Sequence, residues 1–102
     1  MEILLKWRMV WKFSDPENVA VVTTTSIVRG EDWIGLVCRD AVDGGWQFLP
    51  YSGAPDVSSA SVVSLREIAT LDASVVELSD LPMGWRAWRS SKDLQWERAA
   101  DG

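Results

Sequence analysis

From Ile3 to Phe13 every odd position is apolar (Ile3, Leu5, Trp7, Met9, Trp11, Phe13), while Glu2, Lys6, Arg8 and Lys12 hold four of the six even ones. That two-residue period belongs to a strand with one buried face. A helix would gather Ile3, Leu4, Trp7, Val10 and Trp11 on one side but scatter Leu5, Met9 and Phe13. The pattern therefore predicts a strand over 3–13, ended by Asp15-Pro16 because proline cannot donate to a sheet ladder.

Val19 to Thr25 is β-branched at nearly every position, as expected of an interior strand covered on both faces. Ile34–Cys38 and Trp46–Leu49 read as two more strands joined in a hairpin. The turn signal between them is Asp43-Gly44, because glycine accepts positive φ and an Asp side chain bonds the backbone ahead of it. Pro50 to Ser61 is rich in small turn formers without periodicity, and so predicts a loop. Ser64-Leu-Arg-Glu67 has capping-box spacing with Leu65, Ile68 and Ala69 at helical intervals, and Ser74-Val-Val-Glu77 repeats it with Asp72 as an alternative cap. Two short helices follow, closed by Asp80-Leu-Pro82-Met-Gly84. Trp85 to Arg89 predicts a last strand, with Leu94-Gln-Trp96 as a short partner. The expected fold is α+β: a mixed or mainly antiparallel sheet of about five strands, with two short helices packed on one face, in a single domain spanning 1–102.

Composition narrows the chemistry. The 102 residues carry 10 Lys+Arg against 15 Asp+Glu, a net charge of −5, seven tryptophans, one cysteine and no histidine. Without imidazole, Ser-His and Cys-His nucleophiles are excluded, and so are histidine-ligated metals. Cys38 has no second thiol with which to form an intrachain disulfide or a cysteine zinc site, which suits a reducing cytoplasm. Lys6, Arg8 and Lys12 interrupt the apolar N-terminal run, so it reads as part of the fold and not as a signal peptide. No apolar stretch approaches the roughly 20 residues of a membrane span. No GxxxxGK[ST] or GxGxxG string is present, and Asp40 and Asp43 lack the alternating ligands of a calcium loop. No cofactor or metal is expected.

The conspicuous residues suit contact. Trp7, Trp11 and Trp46 fall on inward strand faces, whereas Trp85 and Trp88 must point to opposite sides of one short strand. A tryptophan exposed beside Arg86 and Arg89 would make an interface anchor, since Trp and Arg are enriched in hot spots. Arg86, Arg89, Lys92 and Arg98 interleave with Trp85, Trp88 and Trp96, but Asp93, Glu97 and Asp101 dilute that patch. An acidic chain also repels a polyanion, so no nucleic-acid partner is expected. Between Asn18 and Ser61, Glu31, Asp32, Asp40, Asp43 and Asp56 outnumber Arg29 and Arg39, a balance that steers cationic partners.

Trp11-Lys-Phe13, Asp43-Gly-Gly-Trp-Gln-Phe-Leu49, Val63-Ser-Leu65, Leu71-Asp72 and Asp80-Leu-Pro-Met-Gly-Trp-Arg-Ala-Trp-Arg89 together resemble a family of small bacterial proteins classed as a domain of unknown function. In pattern that family is related to predicted immunity proteins of polymorphic toxin systems. The resemblance runs from Trp11 to Arg98 and implies an α+β fold and stoichiometric binding of a toxin in place of turnover. Relatives carry a His-Asp pair where this chain has Arg39-Asp40, so no catalytic or metal role carries over to Asp40.

The leading expectation is a noncatalytic, cytoplasmic protein-binding domain, a monomer or weak homodimer, whose partner is a protein such as a cationic toxin. Its contact residues would be Asp40, Asp43 and Tyr51 on one side, and Trp85, Arg86, Trp88 and Arg89 on the other. The alternative is a small-ligand domain or enzyme with a pocket under the 50–61 loop. A third class, a homodimer paired through the edge of the 3–13 strand, predicts a concentration-dependent melting temperature.

Overall fold

The computed structural model describes residues 11–53 and 57–101. Most of the strand expected over 3–13 lies outside the described residues; Trp11, Lys12 and Phe13 are described and carry no regular secondary structure. Six strands form one mixed sheet: β1 (Ala20–Thr24), β2 (Leu36–Arg39), β3 (Trp46–Leu49), β4 (Ala60–Ser64), β5 (Trp85–Trp88) and β6 (Glu97–Ala100), in the order β4-β1-β3-β2-β5-β6. β1 runs parallel to β3 and every other pair is antiparallel. The α+β class is as expected, with one strand more than anticipated.

Two short α-helices, α1 (Thr25–Val28) and α2 (Leu65–Leu71), and the 3-10 helix Ala73–Leu78 complete the frame. Ser64 caps α2 as its spacing predicts, its hydroxyl accepting from Glu67 N at 3.1 Å. The following helix begins at the alternative cap, Asp72, whose Oδ1 accepts from Ser74 N at 3.0 Å. Four elements depart from the sequence reading. α1 stands where no helix was expected and takes Thr25 from the expected strand, and a short 3-10 turn, Val57–Ser59, forms within the expected loop. β4 occupies the end of the expected loop, and the strand paired with β5 is Glu97–Ala100, just beyond Leu94–Trp96.

The alternation places Val21, Val37, Trp46, Phe48 and Ala87 on one face of the sheet. There they pack with Leu65, Ile68 and Ala69 of α2, Val75 and Leu78 of the 3-10 helix, and Leu81. Each Val, Leu, Ile or Phe side chain among them contributes roughly 1.5–3 kcal/mol by leaving water. Phe13 joins this core edge-on to Trp46, ring centroids 5.4 Å apart. Thr23, wholly buried in β1, donates its hydroxyl to Phe48 O at 2.7 Å, so the polar atom is satisfied inside the sheet.

Candidate protein-binding face

Among the described residues, the helical layer lies on one face of the sheet. On the other, the pairing registers align Val62, Val22, Gln47, Cys38, Arg86 and Ala99 in a single row across all six strands. Val62 is 67% exposed and Val22 36%, so β1 is covered on one face and open on the other, contrary to the expectation from its β-branched run. A second row runs Leu49, Leu36, Trp88, Glu97.

Tyr51, just past β3 and 50% exposed, stands at the margin of this face. Together with Ser52, Gly53, Leu36, Arg86 and Trp88 it lines a recess of about 460 Å³. Gly35 makes that arrangement possible. Its N donates to Leu49 O at 2.9 Å and its carbonyl accepts from Arg89 N at 3.0 Å. A Cβ there would lie 2.7 Å from Tyr51 Cβ and 2.8 Å from Trp33 Cζ3, so the two aromatic residues close over bare backbone.

Arg86 lies over the Trp88 ring, 5.6 Å from its centroid, and pairs through Nε with Asp101 at 3.5 Å. Cys38, half-buried beside them, has its pKa raised by burial and by the Asp101 charge, against a smaller lowering by Arg86. The thiol is thus held in its less reactive protonated form. At the end of the face, Cys38, Gln47, Asp40, Gly84 and Asp101 line a smaller recess of about 290 Å³. Asp40 Oδ1 accepts from Val42 N at 2.7 Å and Asp43 N at 3.1 Å, bonds that lower its pKa and keep it charged. Asp43 Oδ1 accepts from Gly45 N at 2.7 Å, while Gly44 takes φ +72°, which builds the turn its sequence predicts.

The seven residues expected to make contact are therefore distributed unevenly. Tyr51, Arg86 and Trp88 converge on one recess, although Tyr51 was expected on the opposite side from the other two. Asp40 reaches the same face at its acidic end, and Asp43 stands in the turn beside it. Trp85 points the other way and packs against the core. Arg89 is only 4% exposed, and its donors serve Ile34 O, Ser74 Oγ, Lys92 O and Asp72. That corrects its assignment as a contact residue, since a side chain so enclosed holds the fold together. Arg39 lies over Trp46, 4.9 Å from its centroid, and donates to Leu81 O at 2.7 Å.

Leu36, Val22, Val62 and Asp101 were missed by sequence reasoning. The alternation of β1 and β4 carried the signal for the two valines, but it becomes readable only once β4 is known to be a strand. Among the described residues no group of three or more His, Cys, Asp or Glu could hold a metal ion, and no helix is long and apolar enough to cross a membrane. Comparison with known proteins finds no matching family model, and no match among curated proteins or solved structures.

Proposed function

We propose that this chain is a noncatalytic protein-binding domain of the bacterial cytoplasm, acting as an immunity-like inhibitor that occludes a cationic toxin. The observation that carries this reading is the open sheet face: exposed Val22 and Val62, a recess lined by Leu36, Tyr51, Trp88 and Arg86, and Asp40 and Asp101 at the end of the face. Charge-poor centres with aromatic and arginine anchors and polar rims are the anatomy of protein interfaces. The net charge of −5 adds long-range attraction for a basic partner.

The test is co-expression with the product of any neighbouring gene that proves toxic when expressed alone, read as growth rescue. Trp88→Ala and Tyr51→Ala, with the fold intact, should each cost at least about 2 kcal/mol of binding and abolish rescue. Cys38, the single cysteine of the sequence, reports the same event: a docked partner should slow its alkylation. Rescue that both variants retain, or multiple turnovers by the purified chain on any substrate, would sink the reading.

A second reading is favoured by one observation, the recess beneath Tyr51, Ser52 and Gly53, which is where a small ligand would sit. Native mass spectrometry of the freshly purified protein decides it, since a retained metabolite that Tyr51→Ala releases would reverse the order of the two readings.

A further inference from the structure

A separate recess of about 410 Å³ opens between α1 with the Gly30–Ile34 segment on one side and the Leu71–Ser74 corner with the Arg89–Asp93 segment on the other. Ile27 and Ile34 form its buried floor, while half-buried Trp33 and exposed Leu71 form its walls. Asp32, Asp93 and Lys92 stand exposed around it. Asp15, Glu17, Asp72, Asp80 and Asp101 each face an arginine, but neither Asp32 nor Asp93 has an ion-pair partner among the described residues. Oδ1 of Asp32 accepts from Trp33 N at 2.8 Å, which fixes that carboxylate beside the tryptophan backbone.

We propose that this recess receives a basic side chain, an arginine or lysine of a partner protein. Its aliphatic stem would lie on Leu71 and Ile27, and its charged head between the Trp33 ring, Asp32 and Asp93. A cation gains from the face of an indole ring and from unpaired carboxylates at once, while a methylene stem covers apolar surface. An anion finds the reverse. Arg89 turns four N–H groups to acceptors within the chain and is neutralised by Asp72, which leaves Lys92 alone against two free carboxylates. This recess shares no lining residue with the one at Tyr51, so either site can fail without the other.

The experiment titrates the intact protein with N-acetyl-argininamide and, in parallel, with the neutral isostere N-acetyl-citrullinamide, following amide and indole shifts by NMR. Arginine should move Trp33, Leu71 and Asp93, and citrulline should not. Asp32→Asn keeps the acceptor for Trp33 N and removes the charge. It and Asp93→Asn should each weaken binding about threefold, and Lys92→Gln should strengthen it about twofold, as expected of solvent-facing charges. Equal binding of the two probes, shifts confined to other surfaces, or affinities indifferent to all three substitutions would each overturn the proposal.

Discussion

Arg89 and Asp72, 17 residues apart, join at 2.5 Å between Nη2 and Oδ2, linking the end of β5 to the residue that terminates α2 and caps the 3-10 helix. The guanidinium also lies 4.2 Å from the centroid of the Trp96 ring and donates to two backbone carbonyls. One side chain therefore pins the sheet, the helical layer and the β5–β6 connection together. Arg89→Ala takes the arginine's donors from Asp72 Oδ2 and the Ile34 and Lys92 carbonyls, and should lower stability by about 3–5 kcal/mol. Urea denaturation measures it; a loss below about 1 kcal/mol would show that the pair is dispensable.

Gly35 makes a second prediction. A methyl group there meets Tyr51 and Trp33 inside contact distance, against backbone as well as side chain. Gly35→Ala should cost about 1–3 kcal/mol by overpacking and displace Tyr51 from its recess. Thermal unfolding gives the first number, and the changed environment of Tyr51 in NMR spectra gives the second.

Inside the sheet, Thr23→Val keeps the shape of the side chain and removes the hydroxyl that serves Phe48 O. The expected loss is about 1 kcal/mol, the scale of a single buried hydrogen bond. A neutral result would mean that the carbonyl is satisfied by its ladder bond alone.

Trp88 and Tyr51 should behave in the opposite way. Neither belongs to the buried core, so Trp88→Ala and Tyr51→Ala should leave a cooperatively folded protein. Unfolding of the Trp88 variant at 25 °C would move that residue from the contact face to the core.

Acid should act through the turn and the β6 edge. Backbone N–H bonds lower the Asp40 pKa and Arg98 lowers that of Asp80, so each carboxylate stabilises the fold above the ordinary aspartate range. That contribution is lost as pH falls through the lowered folded value, below about pH 4. Melting temperatures measured from pH 5 to pH 2 should fall more steeply for the natural chain than for Asp40→Asn combined with Asp80→Asn, which have no proton to take up.

Tryptophan shows how far residue type alone can reach. Its ring is well suited to burial and its N–H to a partner, and Trp11 Nε1 does donate to Asp15 O at 2.7 Å. Trp46 and Trp96 nonetheless keep buried indole N–H groups with no acceptor among the described residues, which composition could not have foretold. What these rings gain instead is a cation overhead, Arg39 on Trp46 and Arg89 on Trp96.

Local chemistry was legible because local forces act within a few residues. Ser64 and Asp72 cap helices, Asp43-Gly44 turns the hairpin, and Trp46 and Phe48 face inward while Gln47 faces out, all from spacing and side-chain type. The absence of histidine likewise excludes imidazole, and nothing wider, from this chain's chemistry. Pairing across distance was not legible. Ala60–Ser64 continues a run of small and serine residues that reads as loop, and only its register against β1 makes it a strand. Arg86 and Arg89 look alike in sequence, yet three residues of strand separate the face that meets water from the one that meets the helices. Which arginine binds outward and which holds the fold is decided by the layer packed behind it, and that layer exists only in three dimensions.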